Sequence, residues 1–301
     1  MQHKLFLLAA LVIAFAACND NEPQVINYYI DDNPAVVQGQ LSGKFSVSPT
    51  KKVSFSQGNL QYNAAQNVWR FADNQYDYVG DDTRGTVKIG DTKCSNTNVS
   101  NDYNGWIDMF GWGTGSNPTK SVKNYIEYST FVDWGKNRIY NGGDKVELWR
   151  TMDWEEWLYI LHGRKNAENL FALGRIFLKD DKTESINGII LLPDNWKKPA
   201  ESIFNKSVGE DGLKWVEKDT CWHQQNSYHF LDNEYTIDQW GDMESAGAVF
   251  LPATWNVNEG YYWATKLIGE RAYDFYFGKQ NVIGMSHYNP RYQKFAVRLV
   301  R

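Results

Sequence analysis

The chain has 301 residues and a formal net charge of −5 at pH 7. This modest negative charge argues against a nucleic-acid partner, because a nucleic-acid-binding protein presents a basic face. Aromatic residues make up 15% of the chain, a content that fits a glycan-binding surface and a large aromatic core equally well.

The first 17 residues predict an export signal. Lys4 precedes an uncharged apolar run from Leu5 to Ala17, which is shorter than the roughly 20 residues needed to span a bilayer and ends in small residues. The site before Cys18 resembles the cleavage site of bacterial lipoproteins, whose cysteine is alkylated by diacylglycerol. We therefore expect a signal peptide over residues 1–17, a membrane attachment through lipid on Cys18, and a location at the outer membrane or cell surface. An ordinary secreted protein with a chance cysteine is the alternative.

Residues 18–43 are expected to form the lipidated N terminus and a tether, because prolines and glycines are scattered among polar residues and such a segment behaves as a flexible coil. No linker interrupts residues 44–301, which predicts a single domain with a β-rich N-terminal extension. Removal of the signal takes away Lys4 and leaves 30 Lys and Arg against 36 Asp and Glu, a net charge of −6.

Two cysteines, Cys94 and Cys221, remain beside Cys18. In an oxidising compartment such a pair can form a disulfide, provided that the two Cα atoms lie within about 7 Å of each other. A disulfide and two free buried thiols both remain open.

Most predicted elements are short strands rich in β-branched and aromatic residues. In chain order they are Phe45–Val47, Val53–Phe55, Trp69–Phe71, Ala272–Phe277 and Phe295–Val300. The last strand alternates with a period of two, which places Phe295, Val297 and Leu299 on one face.

Two helices are predicted from apolar residues that recur at helical spacing. The first begins after Thr151, its expected N-cap, and buries one face made of Trp154, Trp157, Leu158 and Leu161. The second covers Ile237–Ser245 and turns inward Ile237, Trp240 and Met243.

Two similar blocks, GIILLPDNW (Gly188–Trp196) and GAVFLPATW (Gly247–Trp255), recur in the second half of the chain. We interpret each as a buried strand that starts at its glycine and is ended by its proline, with the tryptophan covering the core. A hairpin over Leu173–Asn187 is predicted to precede the first block. Two copies are too few for a solenoid.

The segment from Trp149 to Arg301, about half of the chain, resembles a known superfamily. In RTMDWEEWLY (Arg150–Tyr159), the Arg, second Glu, second Trp and Tyr have the spacing of the RLPTEAEWEY signature of formylglycine-generating, or sulfatase-modifying factor, enzymes, although the Leu-Pro pair is missing. GYYWATK (Gly260–Lys266), AYDFYF (Ala272–Phe277) and FAVRLV (Phe295–Val300) resemble its closing strands and, more closely, those of the Fibrobacter major paralogous domain.

This resemblance implies a C-type-lectin-like fold of the α+β class, with twisted antiparallel sheets, few helices and long loops. It does not imply the enzymatic activity. The aerobic enzymes of that family bind copper through a pair of cysteines in the C-terminal third. The chain has no cysteine after Cys221, and Cu(I) requires soft thiolate ligands. The resemblance therefore supports a scaffold and not an activity.

The loop Thr254–Trp263 is the candidate ligand-binding site because it carries Trp255, Asn256, Asn258 and Glu259 between two predicted strands. It resembles the Trp-Asn-Asp stretch with which C-type lectins hold calcium and a sugar, although the aspartate is absent. Amides and a carboxylate beside an aromatic ring can hydrogen-bond and stack on a glycan, with calcium as a possible cofactor. The alternative is a tight loop whose tryptophans cover the core.

Two other polar clusters predict no metal site. CWHQQNSYH (Cys221–His229) lacks the second pair of ligands that a zinc site needs, and DQWGDME (Asp238–Glu244) fits an acidic helix surface better than a calcium site. No catalytic residue can be assigned from these patterns.

The sequence thus favours a non-catalytic cell-surface lipoprotein that binds a glycan or a surface protein. One alternative is an enzyme, either a hydrolase or a diverged modifying activity, which converging carboxylates with perturbed pKa values would favour. Another is an accessory part of a fimbrial or surface assembly, which an unpaired edge strand would favour.

Overall fold

Strands dominate the part of the chain that the structure describes. The structure is a computed structural model that describes residues 37–80, 88–89, 92–93, 96, 99–199, 230–278, 281–283 and 287–301. Within these residues the two α-helices are α1 (Trp154–Leu158) and α2 (Ile237–Ser245). The strands are β1 (Phe45–Ser46), β2 (Lys52–Val53), β3 (Leu60–Asn63), β4 (Val68–Phe71), β5 (Lys88–Ile89), β6 (Thr92–Lys93), β7 (Trp106–Ile107), β8 (Met109–Phe110), β9 (Arg150–Thr151), β10 (Phe171–Phe177), β11 (Ser185–Leu191), β12 (Glu234–Thr236), β13 (Val249–Pro252), β14 (Glu259–Ile268), β15 (Arg271–Gly278), β16 (Asn281–Ile283), β17 (Tyr288–Pro290), β18 (Phe295–Ala296) and β19 (Leu299–Val300). The predicted sheet-rich α+β class is confirmed.

Two sheets organise these strands. A four-stranded sheet has the order β12-β10-β11-β13, in which only the β10–β12 pair is parallel. A six-stranded sheet has the order β16-β15-β14-β18-β8, and β17 also pairs with β15. Smaller sheets join β1 to β2, β5 to β6, β9 to β19, and β3 to both β4 and β7.

Three apolar cores lie on the faces of these two sheets. The central core receives Leu173 from the four-stranded sheet and Phe275 from the six-stranded sheet. The opposite face of the four-stranded sheet buries Phe250 in a second core, and the opposite face of the six-stranded sheet buries Trp263 in a third. Because successive strand side chains point to opposite faces, each large sheet contributes to two cores.

The C-terminal segment shows this division directly. Phe295, Val297 and Leu299 lie in the third core, as their predicted shared face requires, whereas Ala296 and Val300 lie in the central core. The alternation therefore separates two buried faces, which explains why the segment has almost no exposed position.

The two repeated blocks form neighbouring antiparallel strands, β11 and β13, with Ile190 opposite Phe250. Both strands are buried on both faces, and such strands read as continuous apolar runs. Gly247 precedes β13 with a φ of +97°, as expected for a turn. The expectation that Gly188 starts its strand is wrong, because Gly188 lies inside β11, where a Cβ would stand 2.4 Å from the Phe250 ring.

The first helix is capped by Asp153 and not by the predicted Thr151. Asp153 accepts a hydrogen bond from the Glu156 amide at 2.8 Å, and the Glu156 carboxylate accepts one from the Asp153 amide at 3.1 Å, which is a capping box. Thr151 instead belongs to β9, and its hydroxyl donates to Asp133. Trp154, Trp157 and Leu161 are buried in the central core and Leu158 packs against it, which confirms the predicted face.

The second helix has the predicted bounds, Ile237–Ser245. Thr236 caps it by accepting a hydrogen bond from the Gln239 amide. Trp240 and Met243 are buried, but Ile237 is 41% exposed, so its inward orientation was predicted wrongly. The second core reaches only the later turns of the helix.

Residues 37–43 pack against the domain, although the sequence analysis assigned them to the tether. Leu41 is buried in the central core, and its amide donates to the Phe55 carbonyl at 2.9 Å. Gly43 approaches Gly247 so closely that a Cβ would stand 2.2 Å from the Gly247 oxygen. Residues 37–43 are therefore packed into the described domain.

No helix in the described part of the chain is both long enough and apolar enough to cross a membrane.

Candidate functional site

The predicted binding loop leaves β13 and enters β14. Trp255 is 39% exposed. Its ring makes edge-to-face contacts with the rings of Tyr261 and Phe295, at centroid distances of 5.6 and 5.5 Å. The Trp255 amide donates to the Glu259 carbonyl at 3.0 Å. The tryptophan therefore covers the third core with one side and offers the other side to solvent.

The polar residues of the loop hydrogen-bond mainly to one another. The Asn256 amide nitrogen donates to the Glu259 carboxylate, and the Asn256 side-chain oxygen accepts from the Asn258 amide at 2.8 Å. Asn258 also accepts from Asn187 of β11 at 3.2 Å. The two asparagines thus hold the loop in shape, and of the four predicted residues Trp255 is the one with a large exposed hydrophobic side chain.

A row of aromatic rings continues from Trp255 across the six-stranded sheet. Tyr261 of β14 lies opposite Tyr276 of β15 in the register, with ring centroids 4.8 Å apart. His287 stacks on Tyr276 at 4.7 Å with an interplanar angle of 19°. Tyr261, Tyr276 and His287 are all partly exposed. We call Trp255, Tyr261, Tyr276 and His287 the aromatic face.

A buried carboxylate fixes the imidazole at the end of this face. Asp274 is 0% exposed, and its two oxygens lie 2.6 Å from His287 Nδ1 and 2.9 Å from the Asn289 amide nitrogen. Since an ionised carboxylate only accepts hydrogen bonds, His287 Nδ1 is the donor toward the ionised Asp274. His287 Nε2 has no hydrogen-bond partner among the described residues and is available to a ligand.

Burial and two carboxylates, Glu259 and Asp274, set the pKa values on the aromatic face. Burial raises the pKa of Asp274, and the hydrogen bonds from His287 and Asn289 oppose that shift. Burial, with smaller contributions from Glu259 and Asp274, raises the pKa of Tyr261 to about 12. Tyr276 donates its hydroxyl to Glu259 at 3.1 Å, and its pKa is also raised, chiefly by burial. Both tyrosines are therefore protonated hydrogen-bond donors at neutral pH.

The residues that resemble the modifying-enzyme signature form an ion pair. Arg150 donates to both oxygens of Glu156, at 2.5 and 2.7 Å, and Lys51 approaches Glu156 at 3.0 Å. Burial opposes ionisation of Glu156, but the hydrogen bonds from Arg150 and Lys51 outweigh it and lower the pKa. Together with the capping box, this geometry gives the signature a structural role at the start of α1.

The remaining predicted positions contribute no metal site that can be described. No group of three or more His, Cys, Asp or Glu within the described ranges could hold a metal ion. The carboxylates of DQWGDME lie on α2, as expected. Cys18, Cys94, Cys221 and the rest of CWHQQNSYH lie outside the described residues.

Sequence reasoning missed His287, Asp274 and Tyr276. Asp274 and Tyr276 are two residues apart in β15. The strand period of two places both on the same face, so the sequence could have predicted that they lie together. His287 precedes β17, and only the pairing of β17 with β15 brings it to Asp274.

No family model, no curated protein and no solved structure matches this chain.

Proposed function

We propose that this protein is a non-catalytic binding protein of the outer membrane or cell surface, anchored by lipid on Cys18, and that its aromatic face binds a glycan. The observation that carries the proposal is the row of partly exposed rings that ends in Trp255, which is 39% exposed. The resemblance to C-type-lectin-like domains supports the proposal, and we propose that fold for the domain.

The chemistry of the face suits a glycan. Sugar rings present apolar C–H surfaces that pack on aromatic rings, and hydroxyl groups that need hydrogen-bonding partners. Binding sites combine apolar walls with a few placed polar groups in this way. Here Glu259 supplies an acceptor and His287 Nε2 a second acceptor, and Trp255 and Tyr261 supply stacking surfaces. A row of rings favours a short oligosaccharide over a single sugar.

The test is binding of the purified protein to a broad glycan array, with and without a calcium chelator. We expect Trp255→Ala to weaken binding at least tenfold, which corresponds to about 1.4 kcal/mol. Tyr140→Ala is the matched control, because Tyr140 is 71% exposed and lies outside the aromatic face. Loss of binding on chelation would add calcium to the site.

If glycan binding is unchanged in Trp255→Ala, the aromatic face is ruled out as the glycan-binding site. Absence of binding to every glycan would refute the glycan ligand and direct the search to a surface protein, whose binding should then show the same dependence on Trp255.

An enzyme is the second candidate, and the Asp274–His287 pair is the observation that favours it. A histidine whose Nδ1 is held by a buried carboxylate has a basic Nε2 that can accept a proton from water or from a substrate hydroxyl. Incubation with each bound glycan, followed by mass analysis of products, separates the two candidates. A hydrolase would release cleaved glycan, and His287→Gln would abolish this cleavage while weakening glycan binding only about tenfold.

A further inference from the structure

An open cleft of about 370 Å³ lies beside the start of α1 and shares no residue with the aromatic face. Its volume is within the usual range for small-molecule sites. Its lining combines apolar residues with charged residues of both signs. The lining residues are Phe131, Val132, Asp133, Lys136, Glu147, Trp149 and Arg150. We call it the Phe131 cleft.

The floor of the Phe131 cleft is rigid. Asp133 accepts hydrogen bonds from the Gly135 amide at 2.9 Å and from the Thr151 amide at 3.0 Å. Trp149 is buried, and its ring nitrogen donates to the Gly142 carbonyl at 2.7 Å. Phe131 packs edge-on against the buried Trp134 at 5.7 Å. A ligand would therefore meet a preformed surface, which lowers the entropic cost of binding.

Glu147 is held at the rim in an unfavourable backbone conformation. Its φ is +57°, in the left-handed region that glutamate rarely adopts because it lacks the local hydrogen bonding of Asn or Asp. Its amide donates to the Gly135 carbonyl at 3.1 Å, which ties this conformation to the floor of the cleft. Strain of this kind collects at ligand sites, and a glycine at this position would avoid it.

The charged side chains that line the cleft do not form ion pairs with one another. Lys136 and Glu147 are both exposed, and neither forms an ion pair with any residue in the described part of the chain. Arg150 directs its two terminal nitrogens at Glu156, and its side chain still exposes 32% of its surface. Asp133, by contrast, is engaged by backbone donors. The lining of the cleft thus includes one free carboxylate, two cationic groups and the Phe131 ring.

We propose that the Phe131 cleft binds a small zwitterion with an apolar portion, of the kind presented by an apolar α-amino acid. Glu147 receives the ammonium group, Lys136 and the exposed edge of Arg150 receive the carboxylate, and Phe131 with Val132 contacts the apolar side chain. A molecule with only one charge leaves a partner of opposite sign unsatisfied. This site is independent of the proposed glycan site.

The test is calorimetric titration of the purified full chain with L-phenylalanine, with its amide, which lacks the carboxylate, and with its N-acetyl derivative, which lacks the ammonium group. We expect the zwitterion to bind, each derivative to bind at least about tenfold more weakly, and Glu147→Gln to weaken phenylalanine binding by about tenfold, as for loss of one charged hydrogen bond. Asp144→Asn is the matched control, because Asp144 is an exposed acid near in sequence that does not line the cleft.

Equal binding of the three probes, no binding of any of them, or an affinity unchanged by Glu147→Gln would each overturn the proposal. Glu147→Gly adds an independent measurement. It should raise the melting temperature by relieving the left-handed backbone and should weaken phenylalanine binding. A melting temperature that falls would refute the view that strain at Glu147 is retained for a ligand.

Discussion

Asp108 should make the stability of this protein fall as the pH rises through the mildly acidic range. Its carboxylate is 0% exposed and accepts hydrogen bonds from the Val79 amide at 2.8 Å and the Asn96 side-chain amide at 2.9 Å. Burial disfavours the charged form more than these bonds favour it, so the pKa rises from 3.8 to about 6. The informative variant is Asp108→Asn, which has nearly the same shape and no titratable proton.

The magnitude follows from the shift. A difference of about two pKa units corresponds to about 3 kcal/mol, at 1.36 kcal/mol per unit. Because the folded state holds the proton more tightly than the unfolded chain, the free energy of unfolding decreases as the pH rises from about 4 to about 6 and is constant outside that window. The same carboxyl therefore costs stability at neutral pH and costs none when protonated.

The assay is urea unfolding of wild type and Asp108→Asn, followed by tryptophan fluorescence and extrapolated linearly to water. Measurements at about pH 3.5 and about pH 7.5 lie on either side of both pKa values. Other titrating groups contribute equally to the pH dependence of both proteins, so their contributions cancel when the two free energies of unfolding are subtracted. We expect the stability of Asp108→Asn relative to wild type to be greater by about 3 kcal/mol at the higher pH than at the lower.

A relative stability that is the same at both pH values would refute this reasoning, because it would mean that Asp108 has an ordinary pKa in the folded protein. Asp144→Asn serves as the control for replacing an aspartate by asparagine, since the Asp144 side chain is 64% exposed whereas Asp108 is buried.

Three further predictions concern the ion pair at α1, the repeated strands and the aromatic face. Glu156→Gln should lower the free energy of unfolding by about 2 kcal/mol at neutral pH and by much less below the depressed pKa of Glu156; equal losses in denaturant melts at both pH values would contradict the ion pair. Gly188→Val should cost about 1–3 kcal/mol through overpacking, because Phe250 occupies the space of the new side chain, and an unchanged melt would show that Phe250 can move aside. Asp274→Asn should weaken glycan binding about tenfold by releasing His287, as seen in the tautomer signals of the imidazole by nitrogen NMR; a retained Nδ1–H tautomer would contradict the orienting role.

Local signals predicted the elements that depend on local chemistry. The bounds of α2 were predicted from apolar residues at helical spacing, and the structure adds a capping box formed by Thr236 and Gln239. The predicted hairpin over Leu173–Asn187 is found in the pairing of β10 with β11. The N-cap of α1 was misplaced by two residues, because Asp153 and Thr151 are both good caps by residue type and only the pairing of β9 with β19 decides between them.

Long-range pairing decided what local signals could not. The two Leu-Pro blocks were recognised as buried strands, but their adjacency, and the use of Gly188 as space for Phe250, depend on the register of β11 with β13. The candidate loop was chosen for Trp255 and its polar neighbours, while the row of rings from this loop to His287 depends on β15 lying between β14 and β17.

The sequence by itself determined the strand-rich class, both helices and most of the apolar faces assigned to them, while the export signal stays a prediction. These follow from the spacing of apolar residues and from capping chemistry, which act over a few positions. Only the tertiary structure decided that each large sheet contributes to two cores, that Asp274 holds His287, and that Glu147 and Lys136 line one cleft. Such contacts join residues distant in the chain, and they depend on the register in which the strands pair. The two-residue period of a strand predicts only whether a side chain points inward or outward.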